Sequence, residues 1–250
     1  MSKRHPAMTP LSLPTLAPPA LALQAQPQLI DATAAAWLDT LRARPRRHGE
    51  ASFFYHDARF NSVAVKVLPG EYFVHDQDIL ITTTLGSCIA ACLYDRQHCI
   101  GGMNHFLLPD EFVGSAPGER SSHAGRYGSH AMELLINELV KRGATRATME
   151  AKVFGGAAVV SGLNSINVGE RNTQFVLDYL RTERITVVSK DVQGIHARKL
   201  CFMPASGRAR VKRLASTNTE ALAQLELAAA RAAALSISGS VDIFSPSGQS

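Results

Sequence analysis

Cys88 follows Gly86 and Ser87 in "TLGSCIAACLYD" (84–95), and His105 comes next to Asn104 at the end of "CIGGMNH" (99–105). A thiol and an imidazole within one short stretch of chain can do nucleophilic chemistry if the backbone brings them together. A cysteine thiol ordinarily has a pKa of about 8.5, and a neighbouring imidazolium lowers it by several units. The thiolate then attacks an acyl carbon, and the imidazole returns a proton to the leaving nitrogen. A third polar group is needed to orient the ring. Thr82, Thr83, Thr84, Ser87 and Asn104 are the candidates within reach along the chain. The Gly86-Ser87-Cys88 turn can also present backbone N–H groups to an oxyanion.

The two segments read as strands of an antiparallel hairpin turning over Asp95–His98. Pairing Tyr94 with Cys99 places Cys88 directly opposite His105, where β-carbons stand roughly 4.5–5.5 Å apart. A slip of one residue would send the two side chains to opposite faces. A structural zinc site is the rival, because Cys88, Cys92, His98, Cys99 and His105 lie close together in sequence. On a strand, however, residues four apart are separated by about 13 Å. Cys88 and Cys92 could then not share a zinc with Zn–S bonds of about 2.3 Å, so no metal is expected. Cys92, Cys99 and Cys201 sit in apolar strand patterns and read as small buried side chains.

Several elements must position this pair. "SVAVKVL" and "ILITTTL" are rich in β-branched residues and read as strands, with "PGE" as a turn between them. "RYGSHAMELLINELVKRG" is a helix, its Met132, Leu135, Ile136, Leu139 and Val140 recurring at helical spacing, and Gly143 is its C-cap candidate. "ATMEAKVFGG" is a strand and "ERNTQFVLDYLRTER" a second amphipathic helix. "ITVVSKDV" and "RKLCFMPASGRARVKRL" supply the last strands, the latter folded about Ser206-Gly207. Strands mixed with two helices and with hairpins predict an α+β fold with a mixed sheet. "FGGA" (154–157) and "NVGERN" (167–172) either shape the pocket or are only tight turns and a helix start.

The folded domain is expected from Phe53 to Leu214. Residues 1–52 read as a Pro- and Ala-rich disordered leader, a short helix beginning at Asp31 and a basic linker. Residues 215–250 read as an Ala-rich helix and a flexible tail. The 250 residues are 46% hydrophobic and 19% charged, with a net charge of +5. That composition supports a full core. The basic runs Arg42–Arg47 and Arg208–Leu214 read as solvated ends of structure. Zinc-finger spacing, a Walker loop and an aromatic-basic platform are all missing, so nucleic acid is not an expected partner. No run of 18 apolar residues could span a membrane. Pro10, Pro14, Pro18 and Pro19 interrupt what would otherwise resemble a signal peptide, which makes a reduced, cytoplasmic protein the expectation.

"VKVLPGEYFV", "TTTLGSCIAACLYD", "IGGMNHFLLP", "RYGSHAMELLINEL", "EAKVFGGA", "INVGERNTQFVLDYLRTERI" and "RKLCFMPASGRARVKRL" occur in this order. The series resembles the chemoreceptor glutamine deamidases (CheD) of bacterial chemotaxis over about residues 53–214. The resemblance implies a layered α/β sandwich similar to toxin-type cysteine deamidases. It also implies hydrolysis of receptor glutamine side chains to glutamate with release of ammonia, without any cofactor. Within it, the nucleophile falls on Cys88, the general base on His105 and a third catalytic residue on Thr82. Implied partners are methyl-accepting chemoreceptors as substrate and a CheC-type chemotaxis phosphatase as regulator. A non-catalytic docking module on the same fold is the alternative. One segment departs from the pattern: many relatives carry a G-G-x-x-G-R-like sequence where this chain reads "QGIHAR" (193–198), with Gln193 and Ala197 in place of glycines. Any backbone geometry there that needs positive φ is put in question.

Overall fold

The computed structural model describes residues 32–108, 119–158 and 165–215, with Gln224 and Ala228 as isolated positions beyond; of the helical segments 119–126 and 165–167 it describes the backbone alone. The expectations for the leader before residue 32 and for most of the Ala-rich tail lie outside the described residues.

The elements run α1 (Ala32–Ala43), β1 (Phe53–Asp57), β2 (Ser62–Lys66), β3 (Tyr72–His75), β4 (Leu80–Leu85), β5 (Ile89–Asp95), β6 (Ile100–Asn104) and α2 (Glu119–Lys141). Then follow β7 (Met149–Gly155), α3 (Ser165–Thr182), β8 (Thr186–Val192), β9 (Arg198–Met203) and β10 (Arg208–Arg213). They form two five-stranded sheets, ordered β1-β2-β4-β9-β10 and β3-β6-β5-β7-β8. Each sheet is mixed: β2 runs parallel to β4 and β7 parallel to β8, the other pairs being antiparallel. The α+β layered expectation therefore holds, with two sheets rather than one.

Strand β5 shows why the layers stack as they do. Every one of its residues is buried. Because side chains alternate across a strand, Ala90, Cys92 and Tyr94 join the core shared by both sheets, with Ile81, Leu85, Leu200 and Phe202 from the first. Ile89, Ala91 and Leu93 point the other way, onto Met132, Leu135, Ile136 and Leu139 of α2 and Val176 and Leu180 of α3. A strand covered on both faces must be apolar throughout, which accounts for the unbroken run "IAACLY".

The folded unit begins earlier than Phe53. Leu38 and Leu41 of α1 are buried in the inter-sheet core, and each contributes about 1.5–3 kcal/mol by leaving water. Trp37 meets the His75 ring edge-on at 6.0 Å between centroids. The basic run after α1 is also held: Arg42 donates to the Phe54 carbonyl at 3.1 Å, Arg44 pairs with Glu50 and Arg47 with Glu138. What reads in sequence as a linker is a strap across the domain, because its charges find two buried carboxylates, Glu50 close by in the chain and Glu138 brought near by the packing of α2.

Cys99 also differs from expectation. It is exposed, with φ of 50°, in the turn before β6. Cys92 and Cys201 are buried.

Candidate active site

The site is assembled where β4 ends, β5 begins and the chain leaves β6. The hairpin pairs Asp95 with Ile100 and Cys92 with Met103. Ile89 and Phe106 continue it, exchanging N–H···O bonds of 2.9 Å in both directions. This register differs by two residues from the predicted one, since the four-residue turn lies one residue further along the chain, over Arg96–Cys99 rather than Asp95–His98. Leu107 now stands opposite Cys88, and Ala90 opposite His105. A slip of two preserves the face. Cys88 and His105 stay on the same side as diagonal neighbours, α-carbons roughly 7–8 Å apart, a gap an imidazole can span. Both are buried, Cys88 wholly and His105 to 2% exposure.

The histidine is gripped from two directions. Its backbone N–H donates to the Glu71 carbonyl at 3.0 Å, and its carbonyl accepts from Gly70 N–H at 2.7 Å. On the ring, Nδ1 lies 2.8 Å from the Thr83 hydroxyl and 3.4 Å from the Val67 carbonyl. The Thr83 hydroxyl is itself 2.8 Å from the Val67 carbonyl, which can only accept. Its one hydrogen therefore goes to Val67, and its oxygen accepts from Nδ1–H. That assigns the ring proton to Nδ1 and leaves the lone pair on Nε2, which is buried without a hydrogen-bond partner among the described residues. Burial lowers the His105 pKa to about 4; the Val67 carbonyl opposes the shift and the Lys66 charge adds to it. At neutral pH the ring is a neutral base.

Thr82 does not reach this histidine. On β4 it faces outward beside Ala64, Leu80 and Cys201, its hydroxyl 2.9 Å from that of Tyr55 and 3.3 Å from the Val65 carbonyl. The imidazole's partner is Thr83, because consecutive strand residues point to opposite faces and Thr83 shares the inner one with Ile81 and Leu85. Asn104 is committed elsewhere, accepting from Ala91 N–H at 3.0 Å and donating to the Ala131 carbonyl at 3.0 Å.

The turn before Cys88 is held through three successive carbonyls. Gly86 accepts from Ala157 N–H at 2.8 Å and Cys88 from Gly156 N–H at 2.7 Å. Ser87 accepts from the Asn172 side-chain amide at 2.9 Å. Gly155, at φ of 111°, would place a β-carbon 2.1 Å from the Cys88 carbonyl oxygen, so no side chain is tolerated there. A β-carbon on Gly169 of α3 would likewise stand 2.5 Å from the Gly156 carbonyl oxygen, so the helix can pack here only without a side chain. "FGGA" and "NVGERN" thus both frame the cysteine turn. Asn172 is fully buried, and its Oδ1 accepts from Leu108 N–H at 3.1 Å. Nothing local in the sequence singles it out, because both of its partners are more than sixty residues away. Tyr127 of α2 is a second such residue: burial, and then the charge of Cys88 as thiolate, push its phenol up to about 12.

The altered "QGIHAR" segment adjoins this frame. Gln193 N–H donates to the Gly155 carbonyl and Ala158 N–H to the Gly194 carbonyl, both at 2.8 Å. Gln193 keeps a positive φ of 62° despite its side chain. Arg198, 3% exposed, secures the loop by donating to the Gln193 carbonyl at 2.6 Å, to Asp191 at 2.9 Å and to the His196 carbonyl at 3.1 Å. Among the described residues no three His, Cys, Asp or Glu side chains converge on a metal position, and no helix is long and apolar enough to cross a membrane.

A family model described as "CheD chemotactic sensory transduction" matches residues 107–213, a span that begins after both Cys88 and His105. A protein of Albidiferax ferrireducens named "Probable chemoreceptor glutamine deamidase CheD 1" is 56% identical over 220 residues, covering 87% of this chain and 91% of the relative. One of Thiobacillus denitrificans, named "Probable chemoreceptor glutamine deamidase CheD", is 49% identical over 195 residues, 78% of this chain and 96% of its own. Among solved structures, the Bacillus licheniformis hypothetical protein YfiH overlaps 49% of each chain at a TM-score of 0.28 and 11% identity, a likeness too distant to speak to the fold.

Proposed function

The chain belongs to the CheD family, and from that premise we propose that it deamidates glutamine side chains of chemoreceptors, with Cys88 as nucleophile and His105 as general base and acid. The observation that carries the reading is the lone pair of His105 Nε2, buried and without a partner among the described residues, on the face of the hairpin that also carries Cys88. Nε2 takes the thiol proton, and the Cys88 sulfur attacks the δ-carboxamide carbon. The tetrahedral intermediate collapses as the imidazolium gives its proton to the nitrogen, and ammonia leaves a thioester behind. A water molecule, deprotonated by the same Nε2, attacks the thioester carbon; the thiol leaves and the side chain is now glutamate. Thr83 and the Val67 carbonyl hold Nδ1–H throughout, so the ring presents the same nitrogen in both half-reactions.

Chemoreceptors as substrate, a cytoplasmic setting and regulation by a CheC-type phosphatase belong to the same reading and rest on the family resemblance. The test is ammonia release, together with a one-dalton mass increase, on a chemoreceptor cytoplasmic fragment, comparing the wild type with Cys88→Ala. Activity in the wild type alone supports the proposal. Equal activity in both removes Cys88 from the mechanism, and receptor binding without turnover in either favours a docking module.

A further inference from the structure

The geometry points to Asn172 as a positioning residue that aims the oxyanion-binding N–H of Cys88. The inference rests on the thiol mechanism proposed above and adds to it a residue of α3.

In a trans peptide the C=O and the N–H of the next residue point in opposite directions. The Ser87 carbonyl and the Cys88 N–H belong to one such unit. Asn172 Nδ2 holds that carbonyl at 2.9 Å, so it fixes the direction of the Cys88 N–H, which is turned away from α3. The neighbouring peptide units are held by different partners: Gly86 by Ala157 N–H and Cys88 by Gly156 N–H. Of these three carbonyl contacts, the one on the unit that carries the Cys88 N–H comes from a side chain. The other end of the same amide is fixed by Leu108 N–H at 3.1 Å, three residues beyond His105. One fully buried side chain therefore ties the nucleophile's peptide plane to the strand exit that carries the base. The oxyanion forms on the carbon that the sulfur attacks, two bonds from the sulfur, where the N–H of the nucleophile's own residue is well placed to meet it. A donor swung away by tens of degrees loses most of that stabilisation, since hydrogen bonds weaken steeply off-axis.

The experiment compares two reactions at Cys88, resolved from the other cysteines by peptide mass spectrometry. Alkylation by iodoacetamide displaces iodide at a tetrahedral carbon and forms no oxyanion. Acylation by p-nitrophenyl acetate passes through a tetrahedral oxyanion, expels p-nitrophenolate and needs no receptor, so its outcome is independent of whether a chemoreceptor is the substrate. Asn172→Asp is nearly isosteric and keeps the acceptor for Leu108 N–H, but loses the donor to Ser87. Asn172→Ser withdraws the amide without burying a charge and serves where the first variant folds poorly. In either folded variant, alkylation of Cys88 should stay within about threefold of wild type while acylation falls about 10- to 100-fold. Parallel losses in both reactions, or no loss in acylation, would overturn the assignment.

Discussion

Thr83 and His105 meet across the space between the two sheets, hydroxyl to Nδ1 at 2.8 Å, while Thr82 turns its hydroxyl to Tyr55 on the outer face of the same strand. The pair separates two threonines that chemistry alone leaves equivalent. Thr83→Val keeps the shape and removes the acceptor of Nδ1–H, freeing the ring to rotate or change tautomer. Deamidase kcat should fall about 10- to 100-fold. Thr82→Val should leave kcat within about threefold and cost about 1 kcal/mol of stability through its lost hydrogen bonds. Ammonia release and urea unfolding on both variants check this; a larger kcat loss at Thr82 would return the role to that residue.

Burial of His105 also predicts a pH dependence of stability. The folded pKa, lowered to about 4, lies below the unfolded value near 6.5. Between these values the unfolded chain binds more protons, so stability rises with pH across this window and is lost as pH falls through it. The full contribution is on the order of 3 kcal/mol. His105→Gln should flatten the stability profile between pH 6.5 and 4, whatever its effect at pH 7. His75, whose pKa burial also lowers, remains in both proteins and cancels from the difference. Identical slopes in wild type and variant would show that the ring is not held neutral by the fold.

Asp95 closes the far end of β5 from Cys88. Its side chain is wholly buried and accepts from His98 Nδ1 at 2.9 Å, from Gln97 and His98 N–H at 2.9 and 3.2 Å, and from the Thr148 hydroxyl. Burial by itself would raise its pKa, but these donors outweigh that and hold it at about 2. Asp95→Asn removes the charge that these donors address, at a cost of about 2–3 kcal/mol. The melting temperature should drop by several degrees, with deamidase activity retained below the new transition. Loss of activity without loss of stability would tie this turn to catalysis instead.

Parts of this arrangement were open to sequence reasoning because they depend on short-range periodicity. The strand pattern of "IAACLYD" and "CIGGMNH" is enough to put Cys88 and His105 on one face, and an error of two residues in register leaves that conclusion intact. The choice between Thr82 and Thr83 is different, because it depends on which face of β4 meets the second sheet, and both faces carry β-branched residues. Asn172 lies in "NVGERN", a segment the sequence offers as a possible pocket wall, but the part this one residue plays appears only when α3 packs beside the cysteine turn. The hold on Arg47 was hidden for the same reason, its carboxylate partner Glu138 lying on α2. Local pattern reveals which residues can share a face, whereas the packing of distant elements decides which of them meet.

Gln193 tests the departure from the G-G-x-x-G-R pattern. Its φ of 62° is a conformation that costs an ordinary L-residue roughly 1–2 kcal/mol. The loop keeps that geometry because Gln193 is bonded at both ends, N–H to Gly155 and carbonyl to Arg198. Neither bond uses the side chain. Gln193→Gly should therefore preserve the loop, and the relief of strain, less the added entropy of the unfolded glycine, should stabilise the protein by about 0.5–1 kcal/mol. Deamidase activity should be unchanged, because the Gly155 carbonyl keeps its donor and with it the support behind Cys88. Urea unfolding and ammonia release on this single variant decide the matter. A destabilised or inactive Gln193→Gly would mean that the glutamine side chain itself holds the loop in place, and that this chain has replaced a backbone solution with a side-chain one.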